Sequence, residues 1–131
     1  MSLTEITGDL FATPGLEALA HGVNCRGVMG AGIAVEFKRR WPAMFEDYAA
    51  ECVFRMKPGD CHEWLDPTTG RWIYNLATQP RPGPCASLLA IKSALDAIAG
   101  QIGVNDQRFA APVVEFATPR NGTMRIYLGE S

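Results

Sequence analysis

One segment constrains the fold of this chain more than any other: Asn24-Cys25-Arg26-Gly27-Val28-Met29-Gly30-Ala31-Gly32-Ile33. It follows a short apolar run, Leu19–Val23, and leads into Ile33, Ala34, Phe37 and Trp41 at helical spacing. The segment therefore reads as a strand that crosses three glycines in six positions and enters a helix. Glycines let the backbone curl so that several N–H groups face one point, and the helix N-terminus adds about half a positive charge. The combination is an anion cradle suited to phosphate or pyrophosphate; on geometry alone, a purely structural turn stays open beside it. Gly27, Gly30 and Gly32 miss the GxGxxG spacing, and no Gly-Lys-Ser/Thr ending follows, so neither the dinucleotide fingerprint nor the Walker loop is present.

The rest of the chain alternates short apolar runs with helical periods. Leu3–Ile6 predicts a first strand, ended by Gly8-Asp9. Pro42 interrupts the first helix, and Met44–Cys52 predicts a second with Phe45, Tyr48 and Cys52 inward. Lys57-Pro58-Gly59-Asp60 is a turn, and Cys61–Leu65 and Arg71–Ala77 form a hairpin around Asp66–Gly70. Thr78–Pro84, with three prolines, is a loop. Leu88, Ile91, Leu95 and Ile98 predict an amphipathic helix ending at Gly100, followed by strands at Arg108–Ala111 and Met124–Leu128 with an apolar stretch, Val113–Ala117, between them. A length of 131 residues with 47% apolar and 20% charged residues fits one domain spanning 1–131. The element order indicates an α/β sandwich with a mixed sheet.

Twelve basic against 14 acidic residues argue against a surface that grips nucleic acid throughout. No apolar run is long enough for a membrane span, and Met1–Leu10 lacks the basic-then-apolar pattern of a secretion leader. The four cysteines, Cys25, Cys52, Cys61 and Cys85, show no CxxC pair, and neither His21 nor His62 has zinc-site spacing. Reduced thiols in a cytoplasmic monomer, with no metal and no cofactor, are the expectation. Cys61 beside His62 is no dyad, since strand neighbours point to opposite faces. Lys38-Arg39-Arg40 is most simply a solvated helix face, with a local polyanion patch as the alternative.

Two further segments carry hydrogen-bonding chemistry. Gly8-Asp9-Leu10-Phe11 places a carboxylate straight after the first strand, and Tyr74-Asn75-Leu76-Ala77-Thr78-Gln79 ends a strand in two polar side chains. Together with Ala20-His21-Gly22-Val23-Asn24 and Gly27–Lys38, these segments resemble the macrodomains. The resemblance is to the branch containing the terminal ADP-ribose protein glycohydrolase and the DNA ADP-ribosyl glycohydrolase antitoxins, and covers about Leu3 to Pro112. It implies a three-layer α/β/α sandwich that binds ADP-ribose at one end of a mixed sheet. Asp9 would take the adenine amino group, with the Leu10 N–H nearby. Asn24 would contact the distal ribose, and Gly30, Ala31, Gly32 and Ile33 would wrap that ribose and the diphosphate. The implied reaction is hydrolysis of the bond between ADP-ribose and a modified protein or nucleic acid.

Two departures bear on catalysis. The branch ends its Asn-x-x-Thr-Lys strand motif in a lysine; here that position is Gln79. An amide forms no Schiff base, so hydrolysis here needs water attack, oriented by Asn24, Thr78 or Gln79. A non-catalytic ADP-ribose binding module is the alternative. The family also continues after Phe109-Ala110-Ala111-Pro112 with a second glycine-rich loop and a full helix, whereas Val113–Ala117, which resembles only that helix's tail, follows at once. A parallel crossover needs about a dozen residues. Either this loop has been lost, or about 15–20 residues belong between Pro112 and Val113.

Overall fold

The computed structural model describes residues 2–12, 15–102, 111–117 and 124–130. Six strands form one mixed sheet: β1 (Ser2–Thr7), β2 (Ala18–Val23), β3 (Cys61–Leu65), β4 (Trp72–Ala77), β5 (Ala111–Ala117) and β6 (Met124–Glu130), in the spatial order β1-β6-β5-β2-β4-β3. The centre is parallel, with β2 between β4 and β5. The outer pairs β1–β6, β5–β6 and β3–β4 are antiparallel. Among the described residues, three α-helices accompany the sheet: α1 (Ile33–Arg40), α2 (Pro42–Phe54) and α3 (Leu88–Ile102).

Side-chain alternation in the central strands sets the layers. Leu19, Val23 and Ile73 pack with Phe37 of α1 and Met44 and Tyr48 of α2. On the opposite face Ala20, Tyr74 and Leu76 form a second core with Ala94 and Ile98 of α3. The sheet is thus covered on both faces, the expected α/β/α sandwich. Pro42 opens α2 directly after Trp41, where its missing N–H costs nothing, so one helical pattern becomes two helices. Asp66 anchors the β3–β4 turn: it accepts from the Thr68 N–H at 3.0 Å, the Thr69 hydroxyl at 2.8 Å and Trp41 Nε1 at 3.1 Å. Burial pushes its carboxyl up, but those hydrogen bonds outweigh it and hold Asp66 below its ordinary range.

Four expectations change. Helix α3 runs through Gly100 to Ile102, because an interior glycine costs only about 1 kcal/mol and does not stop a helix alone. Its inner stripe is Ala90, Ala94 and Ile98, with Leu88 82% exposed, so the helix is rotated from the leucine-based pattern to bring small residues against β4. Val113–Ala117 is not the tail of a helix: Pro112 and Val113 lie together within β5, whose register sets Val113 beside Leu19 of β2. The run Val113-Val114-Glu115-Phe116 is rich in strand formers and too short for a stable helix. The expected parallel crossover is replaced by the antiparallel β5–β6 pair, a connection that ten residues or fewer can make. Residues 108–110 of the expected strand Arg108–Ala111 lie outside the described residues, and Ala111 opens β5.

Candidate functional site

Strands β2 and β4 are parallel, so Asn24 after one and Thr78-Gln79 after the other leave the same edge of the sheet. Asn24 is buried, and its amide organises the glycine loop. Nδ2 donates to the Val28 carbonyl at 2.7 Å, and Oδ1 accepts from the Arg26 N–H at 2.9 Å. Tyr48 on α2 braces the same residue, its hydroxyl donating to the Asn24 carbonyl at 2.7 Å, with Oδ1 at 3.1 Å. Burial, with the Cys52 thiol beside it, pushes the Tyr48 phenol far above its ordinary value, so it remains a donor.

The loop then requires glycine at two places. Gly27 has φ 75° with Ala49 of α2 against it, where an added Cβ would lie 3.4 Å from the Ala49 Cα. Gly32, at φ 62° and ψ −148°, caps α1 in a conformation that is essentially glycine-only. Gly30, Ala31 and Gly32 are exposed at the mouth of α1, while Met29 just before them is buried and pins the loop to the core. The sequence-derived cradle therefore exists as an exposed, strained backbone turn at a helix N-terminus, and Ile33 is its first helical residue.

On the β4 side, the Thr78 N–H donates to the Val23 carbonyl at 3.0 Å and its carbonyl accepts from Ser87 at 3.0 Å. Thr78 is thus buried at the join between β2 and the proline-rich loop. Gln79 commits both hydrogens of Nε2 to that loop, at 2.8 Å from the Arg81 carbonyl and 2.9 Å from the Gly83 carbonyl. What its side chain retains for a ligand is an acceptor oxygen, not a nucleophile.

Asp9 is exposed, and its Oδ1 accepts from the Phe11 N–H at 2.9 Å, opening a 3-10 turn at Leu10–Ala12. The Leu10 side chain is fully buried in the core that holds Met29 and Phe37. Phe11 packs edge-on to Phe37 at 5.1 Å, which ties the Asp9 turn to α1. Lys38, Arg39 and Arg40 lie exposed on the face of α1, as expected, and also make surface contacts. Lys38 lies over Phe45, Arg40 lies over Phe11, and Arg39 and Arg40 both pair with Glu36. Those arginines hold the Glu36 carboxyl below its ordinary range.

All four cysteines are free. Burial raises the Cys25 thiol to about 11 and the Cys61 thiol to about 12, so neither is an activated nucleophile. Among the described residues no group of three His, Cys, Asp or Glu is arranged to hold a metal, and no helix is long and apolar enough to cross a membrane. An open cavity of about 600 Å³, lined by Leu16, Glu17, Arg71 and Trp72 among others, lies at the starts of β2 and β4, away from the cradle. Sequence reasoning missed Tyr48 as a site residue. Its helical spacing predicts an inward ring, but nothing in the pattern says that its hydroxyl meets Asn24.

A three-layer domain that presents a glycine cradle where its central parallel strands end is built to bind a ligand across those strand ends. No family model matches the chain. Over 50 residues it is 50% identical to an ADP-ribose 1''-phosphate phosphatase of Aspergillus clavatus, a stretch covering 38% of this chain and 25% of that protein. Over 50 residues it is 52% identical to a DNA ADP-ribosyl glycohydrolase of Mycobacterium bovis, covering 38% of this chain and 14% of that protein. The chain therefore spans a quarter or less of the length of these two relatives. The macrodomain of Mycobacterium tuberculosis DarG superposes with a TM-score of 0.66 at 34% identity, covering 75% of this chain and 66% of that one. The chain belongs to the macrodomain family, in the branch of the DarG macrodomains.

Proposed function

We propose that this chain binds ADP-ribose across the ends of β2 and β4 and hydrolyses the bond joining it to a modified protein or nucleic acid. The observation that carries the reading is the exposed Gly30–Gly32 turn at the N-terminus of α1, held open by the Asn24 amide. Backbone N–H groups there suit a diphosphate. Two relatives named for ADP-ribose substrates support the same ligand. In this reading Asp9 and the Leu10 backbone serve the adenine, Gly30 to Ile33 serve the diphosphate and distal ribose, and Asn24, Thr78 and Gln79 border the anomeric carbon. A water oxygen attacks that carbon as its bond to the modified group breaks, and the leaving group takes up the proton. Gln79 Oε1 is the acceptor suited to orient that water.

A second reading, a module that binds ADP-ribose without turnover, is favoured by one observation: the Gln79 and Asn24 amides are both engaged in shaping loops. Calorimetric titration with ADP-ribose tests both, with micromolar binding expected; no heat at millimolar ligand refutes them. Incubation with ADP-ribosylated protein and with an ADP-ribosylated oligonucleotide separates hydrolase from reader. If turnover occurs, Asn24→Ala collapses the cradle and costs ADP-ribose affinity as well as turnover, while Gln79→Ala lowers turnover; turnover unchanged in Gln79→Ala refutes its hold on the water. We read the protein as a cytoplasmic monomer; its free cysteines suit a reducing compartment, sedimentation checks the monomer and fractionation the compartment.

A further inference from the structure

Four polar side chains run in one line from the surface into the core. Asp47 on α2, its side chain 58% exposed, accepts from His62 Nε2 of β3 at 2.7 Å. Nδ1 of the same imidazole lies 2.9 Å from Asn75 Nδ2 on β4. Asn75 Oδ1 lies 2.5 Å from His21 Nε2 on β2. The His21 ring is fully buried and stacks on Phe37 of α1, centroids 3.8 Å apart and planes within 7°.

The chemistry of the groups fixes one direction along this line. A carboxylate only accepts, so His62 Nε2 donates to Asp47, and His62 Nδ1, which faces the Asn75 NH₂ group, accepts. Asn75 then presents its NH₂ to His62 and its oxygen to His21, and His21 carries its proton on Nε2. That leaves His21 Nδ1 as a buried nitrogen with no partner among the described residues. A polar chain kept in a core at the cost of an unpaired atom specifies geometry more than it adds stability.

The geometry it specifies is that of the ligand edge. His21 and Asn75 face each other in the β2–β4 register, and three residues further along both strands stand Asn24 and Thr78. We propose that Asp47, His62, Asn75 and His21 are positioning residues that fix β2, β4 and β3 against α1 and α2, and so set the spacing between the Asn24 cradle and the Thr78–Gln79 strand end. Its consequence for ligand rests on the reading of that edge as the ADP-ribose site.

Three measurements on the full chain test it. Long-range ¹⁵N spectra of the histidines must show each ring donating from Nε2; a proton on Nδ1 of either overturns the line. Amide exchange of Thr78, whose N–H bonds Val23 across the two strands, must speed at least tenfold in His62→Leu and in the surface variant Asp47→Ala. It must return to within about twofold of wild type in His62→Gln, whose amide offers one donor and one acceptor in place of the two ring nitrogens. Unchanged exchange in Asp47→Ala overturns the proposal even if His62→Leu fails to fold. ADP-ribose affinity must follow the same order, with at least a tenfold loss in His62→Leu. Faster exchange in the variants, with a wild type that binds no ADP-ribose, refutes the reading of the edge while upholding the strut; unchanged affinity despite faster exchange refutes the strut's link to the ligand.

Discussion

Acid sensitivity of folding is the most quantitative consequence of His21. Burial lowers its imidazole from 6.5 to about 4, against a smaller opposing effect of the hydrogen bond to Asn75. The folded-state value is depressed, so below pH 6.5 the unfolded chain binds a proton that the native chain refuses. The stability from His21 is therefore complete above pH 6.5 and drains away as pH falls toward 4. Each pH unit in that window is worth about 1.4 kcal/mol, so the step from pH 7 to pH 5 costs about 2 kcal/mol. With a urea dependence of about 1–3 kcal/mol per molar, the unfolding midpoint should fall by about 1 M. The assay is urea unfolding at pH 7, 6 and 5 for wild type and His21→Gln, followed by tryptophan fluorescence. Glutamine does not titrate, so the wild-type midpoint must fall more steeply with acid than the variant's, whatever the variant's starting stability. Parallel midpoints across the three pH values refute the argument that His21 is buried as a neutral base.

Three more predictions follow from the site. Tyr48→Phe removes the donor to the Asn24 carbonyl and side chain, and should cost about 1–3 kcal/mol in thermal unfolding and weaken ADP-ribose binding; unchanged values show that the α2 brace is idle. Gly32→Ala forces a side chain into φ 62°, ψ −148°, at about 1–3 kcal/mol of strain, and should lower ligand affinity more than Gly8→Ala, which has open space around it; equal effects refute the strained-cradle reading. In native protein at pH 8, Cys25 should alkylate about a hundredfold more slowly than an unfolded cysteine, because burial holds its thiol at about 11; labelling at the unfolded rate refutes that.

What the sequence made legible was whatever rests on local pattern. The strand, glycine loop and helix at 19–40 follow from periodicity and glycine placement, and the Asp66–Gly70 turn follows from composition. What escaped it was contact between elements far apart in sequence. Tyr48 meets Asn24 across 24 residues, and His21 meets Asn75 across 54, and no periodicity encodes either pairing. The rotation of α3 shows the same limit from another side. Leu88 fits a leucine stripe, yet the buried positions are the smaller Ala90 and Ala94, with Ala94 packed on Tyr74 and Leu76 of β4.

Gln79 is where this limit matters most for function. As a type of residue, it says only that a lysine-dependent covalent route is closed. Its position says more, because both amide hydrogens hold the Arg81 and Gly83 carbonyls and leave Oε1 as the side chain's remaining acceptor. A lysine there has three donors and no acceptor, so it can keep the loop but cannot orient water by accepting a hydrogen bond from it. Gln79→Lys should therefore preserve ADP-ribose affinity within about threefold, since loop bonding of the same polarity survives. Any water-dependent turnover should fall, unless the lysine amine itself reaches the anomeric carbon. Trapping with cyanoborohydride distinguishes the two. A trapped adduct in Gln79→Lys alone shows that the cleft retains the geometry for covalent attack and that one amide withholds it. Lower turnover with no adduct assigns the wild-type reaction to a water held at Oε1, and turnover equal to wild type with no adduct refutes a role for Gln79 in it.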